Sequence, residues 1–310
     1  MRITALAGGV GGAKLVNGLS KLLEPENFSV IVNTGDDFLY SGLYVCPDLD
    51  TVTYTLAGIN DPINGWGLKN ETWNVLTALQ SIGHPVWFKL GDRDIATHIE
   101  RTRLLQSGKT LTEATSQITQ RFGVKHAIFP MTNEPVRTMI DTVELGVIAF
   151  QEYFVRHKFQ PSMKSIEFSG IQEAKMPDVV RENLELCDMV IICPSNPFVS
   201  IDPILSVPGI RNILLQKKVI AVSPLISGRT IKGPAAKLMQ ELNLDVNSAS
   251  IAKYYGKILT GFIIDDADHD ESESIRQWGI IPLETDILMK GIEGQVRLAR
   301  KVLDFAHNLL

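Results

Sequence analysis

Four glycines in five positions, Gly8-Gly9-Val10-Gly11-Gly12, follow the apolar run Ile3 to Ala7 and precede a helix-like segment from Ala13 to Leu23. Glycine opens torsions closed to other residues and lets a neighbouring backbone or a ligand come close. Strand, glycine turn and helix in that order open a parallel α/β sheet, and amides at such a helix start suit a phosphate. Counted from Gly8, a Walker loop would need glycine at Ala13 and a hydroxyl at Leu15, so that motif is excluded. The dinucleotide fingerprint fits at Gly9 and Gly11 and fails at Lys14, with Asp36 or Asp37 available as its ribose-binding acid. A nicotinamide-dependent oxidoreductase of the Rossmann type therefore stays open as an alternative at this point.

Beyond the turn, Asp36, Asp37, Asp48 and Asp50 crowd the segments that follow the second apolar run. Magnesium takes hard oxygen ligands, commonly one or two carboxylates completed by water and substrate phosphates. An anion cradle beside such acids suggests a phosphorylated, metal-bound substrate, with Mg2+ held by Asp50 together with Asp36 or Asp37. Asp48 equally suits a cap of the helix that starts at Pro47. The chain's formal charge of −5 lacks the basic excess that nucleic acid demands, and no apolar run reaches membrane-spanning length. The expectation is a cytoplasmic protein that acts on small molecules, with neither nucleic acid nor membrane as partner. Cys46, Cys187 and Cys193 match no zinc spacing and read as reduced core residues.

Apolar β-branched runs alternate with helical patterns, predicting a doubly wound, mostly parallel sheet with helices on both faces. Strands are expected at 2–7, 29–32, 86–90, 189–193, 219–223 and 261–264. Helices are expected at 13–23, 71–81, 94–105, 111–121, 179–186, 234–242 and 287–308. The stretch around Val136 to Val155 has antiparallel character instead, so residues 1–310 read as one Rossmann-like domain with a smaller mixed subdomain inserted at about 100–175. In such sheets ligands lie beyond the carboxyl ends of the strands. The segments expected there carry Lys89, Arg93 and His98, then Ser195 and Asn196, and Lys14 follows the glycine turn; the cations and His98 are candidate phosphate or carboxylate contacts. Trp66, Trp73 and Trp87 could wall a flat ligand. The acids from Asp265 to Glu273 read as a solvated face.

The glycine turn, Val32-Asn33-Thr34-Gly35-Asp36-Asp37, Cys46-Pro47-Asp48-Leu49-Asp50-Thr51, Gly65-Trp66-Gly67, Asn70-Glu71-Thr72-Trp73, Leu90-Gly91-Asp92-Arg93-Asp94 with Ala96-Thr97-His98, Pro194-Ser195-Asn196-Pro197 and Gly233-Pro234-Ala235 occur in one order. Together they resemble the 2-phospho-L-lactate transferases of deazaflavin coenzyme F(420) biosynthesis, from residue 1 to about residue 290. The resemblance implies a magnesium-dependent transfer of a phospholactyl or phosphoenolpyruvyl group. The donor would be a guanosine diphosphate ester, lactyl-2-diphospho-5'-guanosine or its enolpyruvoyl counterpart. The acceptor would be the terminal ribityl hydroxyl of 7,8-didemethyl-8-hydroxy-5-deazariboflavin, with GMP released.

Carried over by the resemblance, Asp50 and Lys89 match deazaflavin-binding positions, and Asp50 would serve as metal ligand, hydroxyl contact or proton acceptor. Gly8, Gly9, Gly11 and Gly12 with Ser195 and Asn196 would host the guanosine diphosphate. The resemblance also implies a homodimer, and its glycine turn looks closer to bacterial than to archaeal members, which bears on the donor. A non-catalytic sensor of guanosine diphosphate esters is a third reading.

Overall fold

The structure is a computed structural model that describes residues 1–230 and 233–310. Seven strands form its central sheet: β1 (Ile3–Ala7), β2 (Phe28–Val32), β3 (Ala127–Pro130), β4 (Met189–Ile192), β5 (Lys218–Val222), β6 (Gly261–Ile264) and β7 (Ile281–Glu284). They lie in the order β7-β6-β5-β4-β1-β2-β3, and every neighbouring pair is parallel. Both faces are covered, as the nearly all-apolar strands require. Leu6, Ile31, Val190 and Phe262 belong to one core, while Ala5, Val30, Ile191 and Ile263 belong to the other, following the two-residue alternation of a strand. Helix α1 (Gly9–Ser20) and the last helix, Gly291–Leu309, pack together on the second of these faces, where Leu298, Val302 and Phe305 are buried.

The chain runs from β1 to β2 and β3 on one side and resumes at β4 on the other side of β1. Such a reversal parts the loops that leave the carboxyl ends of the two middle strands, and the crevice between them is the ligand position of doubly wound sheets. Here the parted loops are the glycine turn and Pro194-Ser195-Asn196. Ser195 Oγ ties them, accepting from the Gly8 N–H at 3.1 Å and donating to the Gly8 carbonyl at 2.7 Å.

One expected strand is absent. Residues 86–90 are irregular, and the strand beside β2 is Ala127–Pro130. The segment does not extend a sheet because Trp87, Phe88 and Leu90 are spent in a satellite aromatic cluster. Phe38 stacks on Trp87 with ring centroids 5.9 Å apart, and Phe88 meets Phe38 edge-on at 4.9 Å. The seven expected helices are all present close to their expected bounds, α2 (Pro47–Leu56) begins where Pro47 announced it, and α3 (Asn74–Ser81) and α4 (Asp92–Gln106) flank the aromatic segment. The two loops before α3 and α4 cap each other's helices. Glu71 accepts from the Arg93 and Asp94 amides, and Asp92 accepts from the Asn74 and Val75 amides. Within the expected insertion, Arg137–Thr142, Gly146–Ala149 and Met163–Ser169 form an antiparallel sheet. Its Ile140, together with Tyr153 from the intervening segment, enters the same core as Ile31 and Val190. Helices α4 and α5 (Leu111–Arg121) instead belong to the crossover that leads to β3.

The crevice depends on Gly11, where a methyl group would stand 2.3 Å from the Pro194 carbonyl oxygen. Alanine normally improves a helix by about 1 kcal/mol over glycine. Gly11→Ala is nevertheless expected to lower stability by about 1–3 kcal/mol, because rigid backbone must move to admit it. Chemical denaturation checks this, and a variant as stable as the parent would refute the tight approach of the two loops.

Candidate active site at the sheet's switch point

Asn33 organises the acidic loop that leaves β2. Its side-chain amide donates to Asp48 at 2.9 Å and to the Val199 carbonyl at 3.2 Å, and its oxygen accepts from the Gly35 amide at 2.8 Å. That bracket fixes Asp36 and Asp37 in the turn that follows, both buried. Burial, then the charges of Asp48 and Asp37, push Asp36 well above the usual carboxylate range. Burial does the same to Asp37, against the pull of the Cys46 thiol, Arg101 and Arg137 and with a push from Asp50. One oxygen of Asp36 and both of Asp37 are enclosed without a hydrogen-bond partner. Orphaned acceptors in a low-dielectric site are costly, and a divalent cation is the species that would satisfy them. These two carboxylates therefore fit magnesium.

Asp48 and Asp50 share the first turn of α2, and the structure gives them different company. Asp48 turns to the glycine loop, close enough to Gly8 that a methyl group there would stand 2.6 Å from its oxygen. Burial raises it to about 6, although Asn33 and the Gly9 amide favour its charged form. Asp48 thus meets the amide at the start of α1 that the sequence offered to a phosphate. Favourable placement of an anion at a helix N-terminus explains the contact. Val10 and Gly11 stay partly open to solvent at the same turn.

Asp50 was expected to share a magnesium ion with Asp36 or Asp37, but it lies in the interior, gripped by Arg101 of α4. The guanidinium reaches both carboxylate oxygens, one of them at 3.1 Å, and also donates to the Tyr44 carbonyl at 3.3 Å. His98 stands 3.6 Å from Asp50 and 3.4 Å from Asp94, and the Tyr54 hydroxyl donates to Asp94 at 2.6 Å. Burial opposes the charge of Asp94, yet His98, Tyr54 and Arg101 together hold it below the ordinary range. Asp50, Asp94 and His98 are the one trio among the described residues whose ligand atoms lie within 4.8 Å of one another. Arg101 already fills that trio's centre of negative charge, so it suits a cation poorly. His98, expected to face a phosphate, is buried instead.

Asp37 links these two groups, sensing Asp50 on one side and acting on Asp36 on the other. Asp36 and Asp37 also line a cleft of about 390 Å³ with Phe38, Tyr40, Trp87, Arg137 and Phe150. Its wall is the aromatic cluster, which brings Trp87 to the cleft. Trp66 and Trp73 are 43% and 40% exposed and lie away from this cleft. Lys89 is exposed two residues past Trp87, and Arg93 is exposed with its guanidinium donating to the Lys69 carbonyl at 2.9 Å. Lys14 is half-buried on α1. Asn196 caps the turn after it through its oxygen, at 3.0 Å from the Phe198 amide, and its buried side-chain nitrogen has no partner. Of the late acids, Asp265 and Asp268 are buried and not solvated; Asp265 accepts from the Ala267 and Ile287 amides at 3.1 Å each.

Arg101 and Arg137 escaped the sequence reading. Arg101 stands one helical turn past His98, a spacing that puts both on one face of α4. Arg137 looked like an ordinary strand residue. The three cysteines are free and buried, as expected. No helix among the described residues is long and apolar enough to cross a membrane.

Comparison with known proteins matches this architecture to one family. Residues 3–300 match the family described as 2-phospho-L-lactate transferase CofD. A 2-phospho-L-lactate transferase of Methanosarcina acetivorans is 40% identical over 298 residues, covering 96% of this chain and 97% of the relative. A phosphoenolpyruvate transferase of Thermobifida fusca is also 40% identical, over 283 residues, covering 87% and 88%. The two relatives carry different names at the same identity, so identity alone does not choose between them. A solved Bacillus halodurans protein of the UPF0052 family superposes with a TM-score of 0.63 at 12% identity, covering 97% of this chain and 98% of its own, which confirms the α/β fold. The transferase assignment displaces the oxidoreductase and sensor readings: with a family match across nearly its whole length, this chain belongs to the CofD family of transferase enzymes.

Proposed function

We propose that this enzyme moves a phospholactyl or phosphoenolpyruvyl group from a guanosine diphosphate ester to the terminal ribityl hydroxyl of 7,8-didemethyl-8-hydroxy-5-deazariboflavin, releasing GMP. One observation carries the reading beyond the family: unpartnered buried carboxylates and an aromatic wall meet in a single cleft formed by the segment that follows β2. Stacking on Trp87 and its neighbours suits the flat deazaflavin. The partly exposed residues Val10 and Gly11 at the start of α1 and the unpartnered Asn196 nitrogen suit the diphosphate. Lys89, exposed two residues past Trp87, would meet the acceptor. The protein would work in the cytoplasm, as a homodimer.

In the reaction the ribityl oxygen bonds to the phosphorus that bears the three-carbon acid. The bridge oxygen to the second phosphorus departs with GMP, and the hydroxyl proton passes to a carboxylate. Asp37 is the acceptor assigned here, since both its oxygens are unengaged and it lines the cleft. Asp36 and one oxygen of Asp37 would hold Mg2+, leaving the other Asp37 oxygen for the proton, with Asp48 behind them. When bound, the ion would neutralise charge on the phosphates. Asp50, held at both oxygens by Arg101, acts by fixing α2 and the charge next to Asp37.

Incubating the protein with the deazaflavin, Mg2+ and each guanylylated donor should release GMP and yield the phosphodiester by mass. No GMP with any donor would refute the assignment.

The two acids make opposite predictions. Asp37→Asn removes an unpaired buried charge, so the variant should be at least as stable as the parent and lose about a hundredfold or more in turnover. Asp50→Asn strands the Arg101 guanidinium and should cost about 3–5 kcal/mol of stability. Denaturation and initial rates measured on both variants check the pair; a destabilised Asp37→Asn or an undisturbed Asp50→Asn would contradict the charge assignment.

Stability should also follow pH. Asp36, Asp37 and Asp48 have folded-state pKa values above the unfolded value, so the native state holds more protons. That contribution is present in full below pH ~4 and lost as pH rises through the folded values, about 6 for Asp48. The metal-free protein should melt lower at pH 7.5 than at pH 5.5, and Mg2+ should raise the midpoint more at the higher pH. Equal stabilisation by Mg2+ at both values would argue against these ligands.

A further inference from the structure

The proposed donor brings one more anionic group into the cleft, the carboxylate of its three-carbon acid. Only an ester oxygen and one carbon separate that carboxylate from the phosphorus. Wherever the phosphorus meets the ribityl hydroxyl, the carboxylate must therefore lie close by. Asp36 and Asp37 there would repel it, so a cation is required.

Arg137 is the one arginine or lysine among the described residues that line the cleft. It opens the antiparallel strand Arg137–Thr142, and the next residue fastens that strand to the acidic turn, the Thr138 amide donating to the Gly35 carbonyl at 2.7 Å. The guanidinium lies over the Tyr44 ring, 5.7 Å from its centroid, and one terminal nitrogen donates to the Val136 carbonyl at 2.8 Å. A guanidinium has five N–H donors in a planar fork, so this anchoring leaves enough of them to grip a carboxylate at two points. Arg101, the other guanidinium near the acids, is spent on Asp50.

We propose that Arg137 binds the carboxylate of the transferred three-carbon acid and is a specificity-determining residue of this enzyme. The inference rests on the transferase reading above. It explains how a cleft floored with carboxylates accepts an anionic acyl group: Tyr44 and the Val136 carbonyl hold the fork in place before substrate arrives, so little side-chain freedom is lost on binding. Glu152, also on the cleft, is paired with Arg156 at 2.9 Å and does not compete for Arg137.

The test compares the carboxylate donor with its carboxamide analogue in the parent enzyme, Arg137→Gln and Arg137→Lys. The parent should lose roughly a hundredfold in kcat/KM on the carboxamide. Arg137→Gln should lose about as much on the carboxylate donor and discriminate between the two donors by less than about threefold, because the two changes remove one interaction. Arg137→Lys should fall between, since an ammonium offers charge without the fork. The acceptor KM should stay unchanged throughout. A glutamine variant that keeps the parent's full preference for the carboxylate would overturn the proposal. If that variant does not fold, the lysine variant decides by the same comparison. Failure of the parent with every three-carbon donor would instead remove the transferase reading, and this inference with it.

Discussion

One buried guanidinium answers for the negative charge that α2 carries into the interior. Arg101 meets Asp50 at both oxygens, and its field also eases Asp37. Burial works against the arginine's charge, and Asp50 overrides it. Removing either partner of such a pair leaves an uncompensated ion in low dielectric, so α2 and α4 are locked together by charge as well as by packing. With Asp50 neutralised, the remaining acids, Asp36, Asp37 and Asp48, are left with too few partners. That imbalance is the electrostatic character of the site.

A deficit of this kind has a use. Repulsion among buried carboxylates costs stability, and the divalent ion and phosphates proposed above would recover it on binding, which would couple folding free energy to ligand binding. The fold supplies the means to hold the strain. Asn33 satisfies its own hydrogen-bonding groups while it fixes Asp48 and the turn at Gly35, so the acids cannot swing apart to relieve one another. Reciprocal capping by Glu71 and Asp92 braces the irregular aromatic segment that walls the cleft. Residues that look like site chemistry in the sequence are here the scaffold that makes chemistry possible.

The α/β order, five of the seven central strands, the glycine turn and the family were legible in the sequence, because each is written in local periodicity or in a short ordered motif. Strand Ala127–Pro130 was missed because a four-residue run gives little periodic signal, and residues 86–90 imitated a strand with the same aromatic residues, Trp87 and Phe88, that help build the satellite cluster. Asp36 and Asp37 were picked out by their place after β2. The division of labour between Asp48 and Asp50 was not, because two residues apart on a helix point to different neighbours, and sequence does not say which neighbour is a guanidinium.

The sequence by itself determined most of the strands and helices, where the crevice of the sheet must lie and that Asp36 and Asp37 stand near it, since backbone torsion and apolar spacing act over a few residues. Tertiary structure alone decided charge. Arg101 reaches Asp50 across 51 residues, and Arg137 comes to Asp37 from a separate sheet. Whether a buried carboxylate is paired or left wanting depends on such distant encounters, and that decides where a cation and an anionic substrate can bind.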